Sequence, residues 1–341
     1  MSATTTATPE QGDVTAQRRT VTSHALEFVE KYGLVLLLIL LFVVFASVWN
    51  RPATFRSISN IRAVVGTYSV PAVVALAAIV PLVCGQFDLT VGPVAGLTAM
   101  ATAGALTKSH SSLVVAIVIA LMLGLLVGVI NGYLVAYVKV NAFITTLGMS
   151  SLITGFLALY SGGNSILISN STLTNLGSLN SLGIPRLCFF AIAAAAIMYY
   201  LLEHTPFGRY LHSVGSNPVA ARLVGLDVDR LTFLSFVLSS LLASVAGILL
   251  LATNGSADQA LGGLPLTLPA LAAAFLGATT IKPGQFNVLG TMVAVLFVAF
   301  SLAGLNLNGV ASWVTDVFTG GTLVLAVAIS TLVGRQRART G

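Results

Sequence analysis

The side chains able to do chemistry in this chain are mostly hydroxyls and amides, spaced for hydrogen bonding rather than bond breaking. In NAFITTLGMSSLITGFL, Asn141 to Leu157, a helix would carry Thr145, Thr146, Ser150 and Thr154 beside Phe143. Such groups give and accept hydrogen bonds without a fixed charge, which suits an uncharged polyol or sugar better than an ion. Hydroxyls on an apolar helix also bond back to their own carbonyls, so alone they do not define a path. A second segment, CGQFDLTVGPVAGLTAM, sets Gln86, Phe87, Asp88 and Thr90 at the turn between two apolar runs. A carboxylate there is costly unless it caps a helix, pairs, or lines a watery cavity. Capping of the following helix by Asp88 or Thr90, together with helix packing, carries more weight than direct solute contact, because the helix dipole favours an anion at its start. The candidate path residues are therefore Gln86, Phe87, Asp88, Thr90, Phe143, Thr145 and Thr146.

Reactive constellations are missing from the sequence. There is no G-x-x-x-x-G-K-[ST] loop, and Thr107-Lys108-Ser109 lacks the preceding glycines, so ATP is not bound here in that manner. Neither G-x-S-x-G nor H-E-x-x-H occurs, and no carboxylate pair is placed for acid–base work, which argues against an enzyme. The 4 histidines are scattered, and Cys84 and Cys188 sit in apolar runs without metal spacing. No metal site and no cofactor are expected.

The elements that must position these residues are membrane helices. Hydrophobic residues make up 56% of the 341-residue chain, charged residues only 8%, and the mean hydropathy is +0.97. The expected fold is all-α and polytopic. Apolar runs fall at Leu34–Val48, Ile61–Val83, Leu89–Leu106, Leu113–Val138, Ala142–Tyr160, Leu187–Leu202, Leu231–Thr253, Leu266–Ile281, Val288–Leu305 and Val314–Val333, about ten spans in all. Residues 1–32 read as a mobile tail, 33–334 as the transmembrane domain, and 335–341 as a basic tail. Gly124, Gly128 and Gly132 form a ridge for close helix packing.

Basic residues set the orientation. With a cytoplasmic N-terminus, 11 of the 16 Lys and Arg fall inside and 5 outside, which favours both termini in the cytoplasm. The net charge of +6 is spread singly through loops, so it points to membrane topology and not to nucleic acid.

That orientation puts the polar island TPFGRYLHSVGSNPVAARLVGLDVDR, within loop 204–230, in the cytoplasm. Asn217 suits a helix cap, Pro218 the first helical position, and Gly225 the left-handed residue past the end, which spells a helix from Pro218 to Val224. Val219 and Leu223 share one face of it with small Ala220 and Ala221 beside them, a smooth patch for docking on another protein. An ordinary capped cytoplasmic loop would share the capping but not the whole pattern.

Gly208, Arg209, Tyr210, Gly215, Asn217, Ala220, Ala221, Arg222, Leu223 and Gly225 resemble the coupling-helix pattern of permease subunits of ATP-binding-cassette importers, in the branch that takes up ribose, xylose, arabinose and related molecules. The segments at Cys84 and Asn141 look like two further signatures of that family, and the resemblance runs from about the first span to the last. It departs at Phe87, at Asn141, and at Lys282-Pro283, where the family has an aliphatic residue, proline and glycines. The resemblance implies a permease of the bacterial cell membrane for a neutral solute such as a monosaccharide. It also implies two ATPase subunits, a second permease copy and an external solute-binding protein as partners within membrane lipid. The coupling residues it implies are Gly208, Arg209, Gly215, Asn217, Ala220, Ala221, Arg222, Leu223 and Gly225. A carrier or channel working alone is the alternative. GQFD at Gly85 and GQFN at Gly284 form a weak internal echo, each at a cytoplasmic-side turn.

Overall fold

The computed structural model describes residues 31–47 and 52–340, with side chains to residue 328. Most of the expected N-terminal tail lies outside the described residues. The helices in chain order are α1 (Lys31–Ser47), α2 (Pro52–Phe55), α3 (Ile58–Val83), α4 (Val91–Thr107), α5 (Leu113–Ala136), α6 (Ala142–Ser161) and α7 (Ser171–Ser178). There follow α8 (Arg186–Tyr199, continued by a π turn over Tyr200–His204), α9 (Pro206–Ser216), α10 (Pro218–Leu223), α11 (Val228–Asn254), α12 (Gly263–Gly277), α13 (Val288–Leu307) and α14 (Ser312–Thr340). The backbone of α14 carries the expected basic tail as part of the helix.

Six of these, α3, α5, α6, α8 with its π turn, α11 and α13, are long and apolar enough to cross a membrane. The apolar helices α1, α4, α12 and the Ser312–Ala328 stretch of α14 are shorter. The protein is an all-α polytopic membrane protein. Each expected apolar run coincides with a helix, but α4 starts only at Val91, α5 stops at Ala136 and α12 stops at Gly277.

The core is built on α11, which packs against α3, α4 and α5. Val73 to Ala77 of α3 are wholly buried, so this helix is apolar all round and sits inside the bundle. Contact between α5 and α11 depends on the glycine ridge. A Cβ at Gly124 would lie 1.7 Å from Ser244 Oγ, one at Gly128 2.9 Å from Ser240 Cβ, and one at Gly132 2.9 Å from the Phe233 carbonyl oxygen. With little hydrophobic drive between helices in lipid, such backbone approach supplies the packing.

The loop between α6 and α8 is ordered by local capping and by short strands. Asn170 caps α7 by accepting from Leu173 N–H at 3.1 Å. Strand β1 (Ile166–Leu167) pairs antiparallel with β4 (Ser256–Ala257), with Ile166 opposite Ala257, and β2 (Asn180–Ser181) with β3 (Ile184–Pro185). The β1–β4 pair packs on α4, with β4 also against α11, while β3 packs on α3 and α8.

The α3–α4 connection departs from a simple surface turn. Asp88 meets Ser239, 11 residues into α11, which is about 16 Å along a helix rising 1.5 Å per residue. The chain leaves α3 at Val83, dips back into the bundle through Asp88, and begins α4 at depth. The second copy of the echo stays near the helix ends: Asn287 caps α13 by accepting from Gly290 N–H at 2.7 Å and donates to the Gly277 and Thr280 carbonyls. The two copies nevertheless meet, since Phe87 stacks on Phe275 at 5.9 Å between centroids and Phe286 packs edge-on against the same ring at 5.2 Å.

Candidate functional site

Asp88 is the centre of a buried polar cluster. Its Oδ1 accepts from Thr90 N–H at 2.8 Å and from Thr90 Oγ1, and its Oδ2 accepts from Ser239 Oγ at 2.9 Å. Asn131 Nδ2 of α5 donates to Thr90 Oγ1 at 3.1 Å. All four side chains are essentially inaccessible. Asp88 thus binds Thr90, the residue just before α4, instead of capping the helix itself, and Thr90 makes no side-chain cap of α4. The three hydrogen bonds that Asp88 accepts offset part of the cost of burying this carboxylate.

The same turn is held from two further sides. Ser150 Oγ of α6 donates to the Leu89 carbonyl at 3.1 Å, and Thr267 Oγ1 of α12 accepts from Gly92 N–H at 3.1 Å. On α6, Thr146, Ser150 and Thr154 all bond back to carbonyls four residues earlier. Thr145 Oγ1 is buried with no hydrogen-bond partner, as are Asn131 Oδ1 and Ser240 Oγ. Gln86 is half-buried, whereas Phe87 and Phe143 are exposed. Of the expected path residues, then, Asp88 and Thr90 come together directly, the Thr146 hydroxyl stays on its own helix by donating to the Ala142 carbonyl, and Phe143 is exposed. Asn131 and Ser239 belong to the cluster and carry no local motif that marks them.

The polar island folds as two capped helices. Thr205 caps α9, accepting from Gly208 N–H at 3.4 Å, and Asn217 Oδ1 caps α10, accepting from Val219 N–H at 3.1 Å and Ala220 N–H at 3.0 Å. Gly225 takes a φ of +86°, the left-handed conformation that ends such a helix. α10 is one residue shorter than expected, with Val224 as its cap. Val219, Leu223 and Val224 are 70%, 84% and 77% exposed, while Ala221 is only 4% exposed on the opposite face. Ala221 therefore seats α10 on its own protein, and the free apolar face belongs to the other three.

One contact joins this island to the turn that leads to the buried cluster. A Cβ at Gly215 would lie 2.0 Å from the Val83 carbonyl oxygen and 3.2 Å from Gly85 N, so α9 presses its backbone on the turn that leads to Asp88. Gly208 lies equally close to the Leu202 carbonyl. Separately, Asp229 at the start of α11 pairs with Arg222 of α10 and with Lys139 of the α5–α6 loop. Arg209 and Tyr210 are exposed. Lys282, one of the departures in sequence, pairs with Glu203 at the π turn leading into α9.

α10 thus leaves a small apolar face uncovered, and its neighbour α9 packs on the turn that leads to Asp88. Residues 58–327 match the family described as branched-chain amino acid transport system / permease component. The chain belongs to that family. The ribose import permease protein RbsC of Escherichia coli strain K12 is 33% identical over 296 residues, covering 86% of this chain and 92% of its own. The L-arabinose transport system permease protein AraH of the same strain is 30% identical over 298 residues, covering 87% and 89%. The D-allose transport system permease protein AlsC is 27% identical over 308 residues, covering 90% and 94%. No solved structure matches. The protein is a multi-pass permease subunit of an importer whose ATPase is a separate chain.

Replacing Asp229 with Asn removes the tether of α10 to both neighbours. Exposed pairs are worth about 0.2–1 kcal/mol each, so with two pairs lost the permease should unfold within about 2 kcal/mol of normal. ATP-driven uptake should fall about fivefold, the size of a ~1 kcal/mol positioning loss. Initial uptake rates in vesicles, beside a thermal-unfolding scan, check this, and unchanged uptake would refute the tethering role.

Proposed function

We propose that this permease forms the path of an importer for a neutral monosaccharide, as one of two permease copies standing on two ATPase subunits, with an extracytoplasmic binding protein delivering solute. The observation that carries the reading is α10. It is capped at both ends, it leaves Val219, Leu223 and Val224 uncovered, and its neighbour α9 presses on the turn that holds Asp88. Closure of an ATPase pair would push α10 and α9, and Gly215 would pass the displacement to Gly85 and the α3–α4 turn. Both termini and the 204–230 loop lie in the cytoplasm in this reading, and the α6–α8 loop faces outward.

The sugar assignment rests on the names of the relatives and on the chemistry of the bundle. The polar groups here are neutral hydroxyls, of which Thr145 Oγ1 lacks a protein partner while those of Thr146, Ser150 and Ser239 are bonded within the bundle, and the one carboxylate among them, Asp88, is already satisfied by protein donors. The exposed face of Phe87 offers an apolar ring of the kind that packs against sugar C–H groups. A carrier driven by ions would need titratable pairs at this depth.

Purification from native membranes in mild detergent, with companions identified by mass spectrometry, tests the assembly. An ATPase bearing a Walker motif and a soluble or tethered binding protein are expected. Reconstituted with them, the permease should take up ribose, arabinose or allose only when ATP is hydrolysed. Uptake that follows an ion gradient without any ATPase would establish the stand-alone carrier instead.

A further inference from the structure

We infer that a phospholipid occupies the fissure between α4, α5 and α6, with one acyl chain in the slot and its phosphodiester at Lys108. The fissure has a volume of about 760 Å³. Its walls include Leu97, Leu126, Ile130, Met149 and Phe156, and the polar side chains that line it, Ser109 and Tyr160, sit together at one end. A sugar entering it would leave its hydroxyls without partners, so it is no part of the solute route.

Its length matches one leaflet. On α6 it runs from Met149 to Tyr160, and on α5 from Ile119 to Ile130. Each stretch is about 16 Å of helix, close to half of the ~30 Å hydrocarbon core. A slot that spanned the subunit, or one that stopped at a few residues, would not fit a chain anchored at the surface.

A cation stands at the polar end. Lys108 Nζ donates to the Tyr160 carbonyl at 3.0 Å and lies 4.2 Å from the centroid of the Tyr160 ring. The ammonium is exposed, and among the described residues it pairs with no carboxylate. With three N–H donors it retains some for a phosphate oxygen. The carbonyl and the ring hold it beside the mouth rather than letting it extend into water, which places the positive charge where a lipid headgroup lies. In the proposed topology this end is at the outer face, although the fit depends only on the slot and the cation sharing one end.

Native mass spectrometry of the detergent-purified full chain tests the inference, with dioleoyl phosphatidylglycerol and dioleoylglycerol titrated separately. The two share acyl chains and differ in the phosphodiester. One phosphatidylglycerol should bind about fivefold more tightly than dioleoylglycerol, the effect of one basic residue near a lipid surface. Lys108→Gln should erase that preference while leaving dioleoylglycerol unchanged. Ala101→Trp, which fills the slot from α4, should weaken both lipids about tenfold. Lys108 is on the surface, so its variant remains informative if the tryptophan disturbs folding. Equal phosphatidylglycerol binding by the wild type and Lys108→Gln would overturn the assignment. So would efficient disulfide formation between two copies of Leu152→Cys in membranes, which would put a second permease, not a lipid, over the fissure.

Discussion

Changing Val219 and Leu223 together to Asp should leave the permease in the membrane at its normal level and cut ATP-driven uptake at least about a hundredfold. Both side chains are largely exposed, so the substitutions remove nothing from the core of the subunit. If they seat in an ATPase groove, burying each is worth about 1.5–3 kcal/mol, and a carboxylate in the same place adds a desolvation cost. Losing about 3–6 kcal/mol corresponds to two to four powers of ten in affinity. The ATPase should therefore vanish from the purified complex at the same time as uptake is lost. An arginine at Ala221 would be a poorer test. That side chain is buried under α10, and a large cation there would unseat the helix from its own protein, mimicking a coupling defect. Full-rate uptake by the double variant would remove α10 from the drive mechanism.

How far the sequence goes depends on how local the cause is. Asn217, Pro218 and Gly225 act on their own helix, so the capped α10 is legible within ten residues, and the structure differs only in ending it at Leu223. The glycine ridge is legible for a similar reason, since three glycines spaced four apart leave one side of a helix bare. The depth of the α3–α4 turn is different. It is set by Ser239 and Asn131, which lie 151 and 41 residues from their partners Asp88 and Thr90. A serine or asparagine in an apolar run looks alike whether it bonds to its own carbonyl or to a distant carboxylate. Thr146 and Ser150 show the former, and Ser150 also donates to the distant Leu89 carbonyl. The inward face of Ala221 was hidden as well, because small residues on a short helix carry no periodic signal. Lys282 reads as a departure from the family in sequence, and its ion pair with Glu203 gives that departure a structural partner.

Asp88 gives the sharpest separation between holding the turn and acting on the solute. Asp88→Ala takes the acceptor from Thr90 N–H, Thr90 Oγ1 and Ser239 Oγ in a place that water does not reach. Each stranded donor costs about 1–3 kcal/mol, and the sum rivals the 5–15 kcal/mol by which folded proteins are stable. Little folded permease should be recovered from membranes, as read by size-exclusion chromatography of a fluorescent fusion. Asp88→Asn keeps the shape of the side chain. Its oxygen can still accept from Thr90 N–H, its amide can donate to Ser239 Oγ, and that hydroxyl can turn to accept. The asparagine variant should fold normally and retain uptake within about fivefold of the wild type, the cost of exchanging a charged hydrogen bond for neutral ones. A well-folded Asp88→Asn permease with no uptake would mean that the negative charge itself is needed during transport. The turn would then have to open and expose Asp88 to the path, which the three hydrogen bonds now prevent.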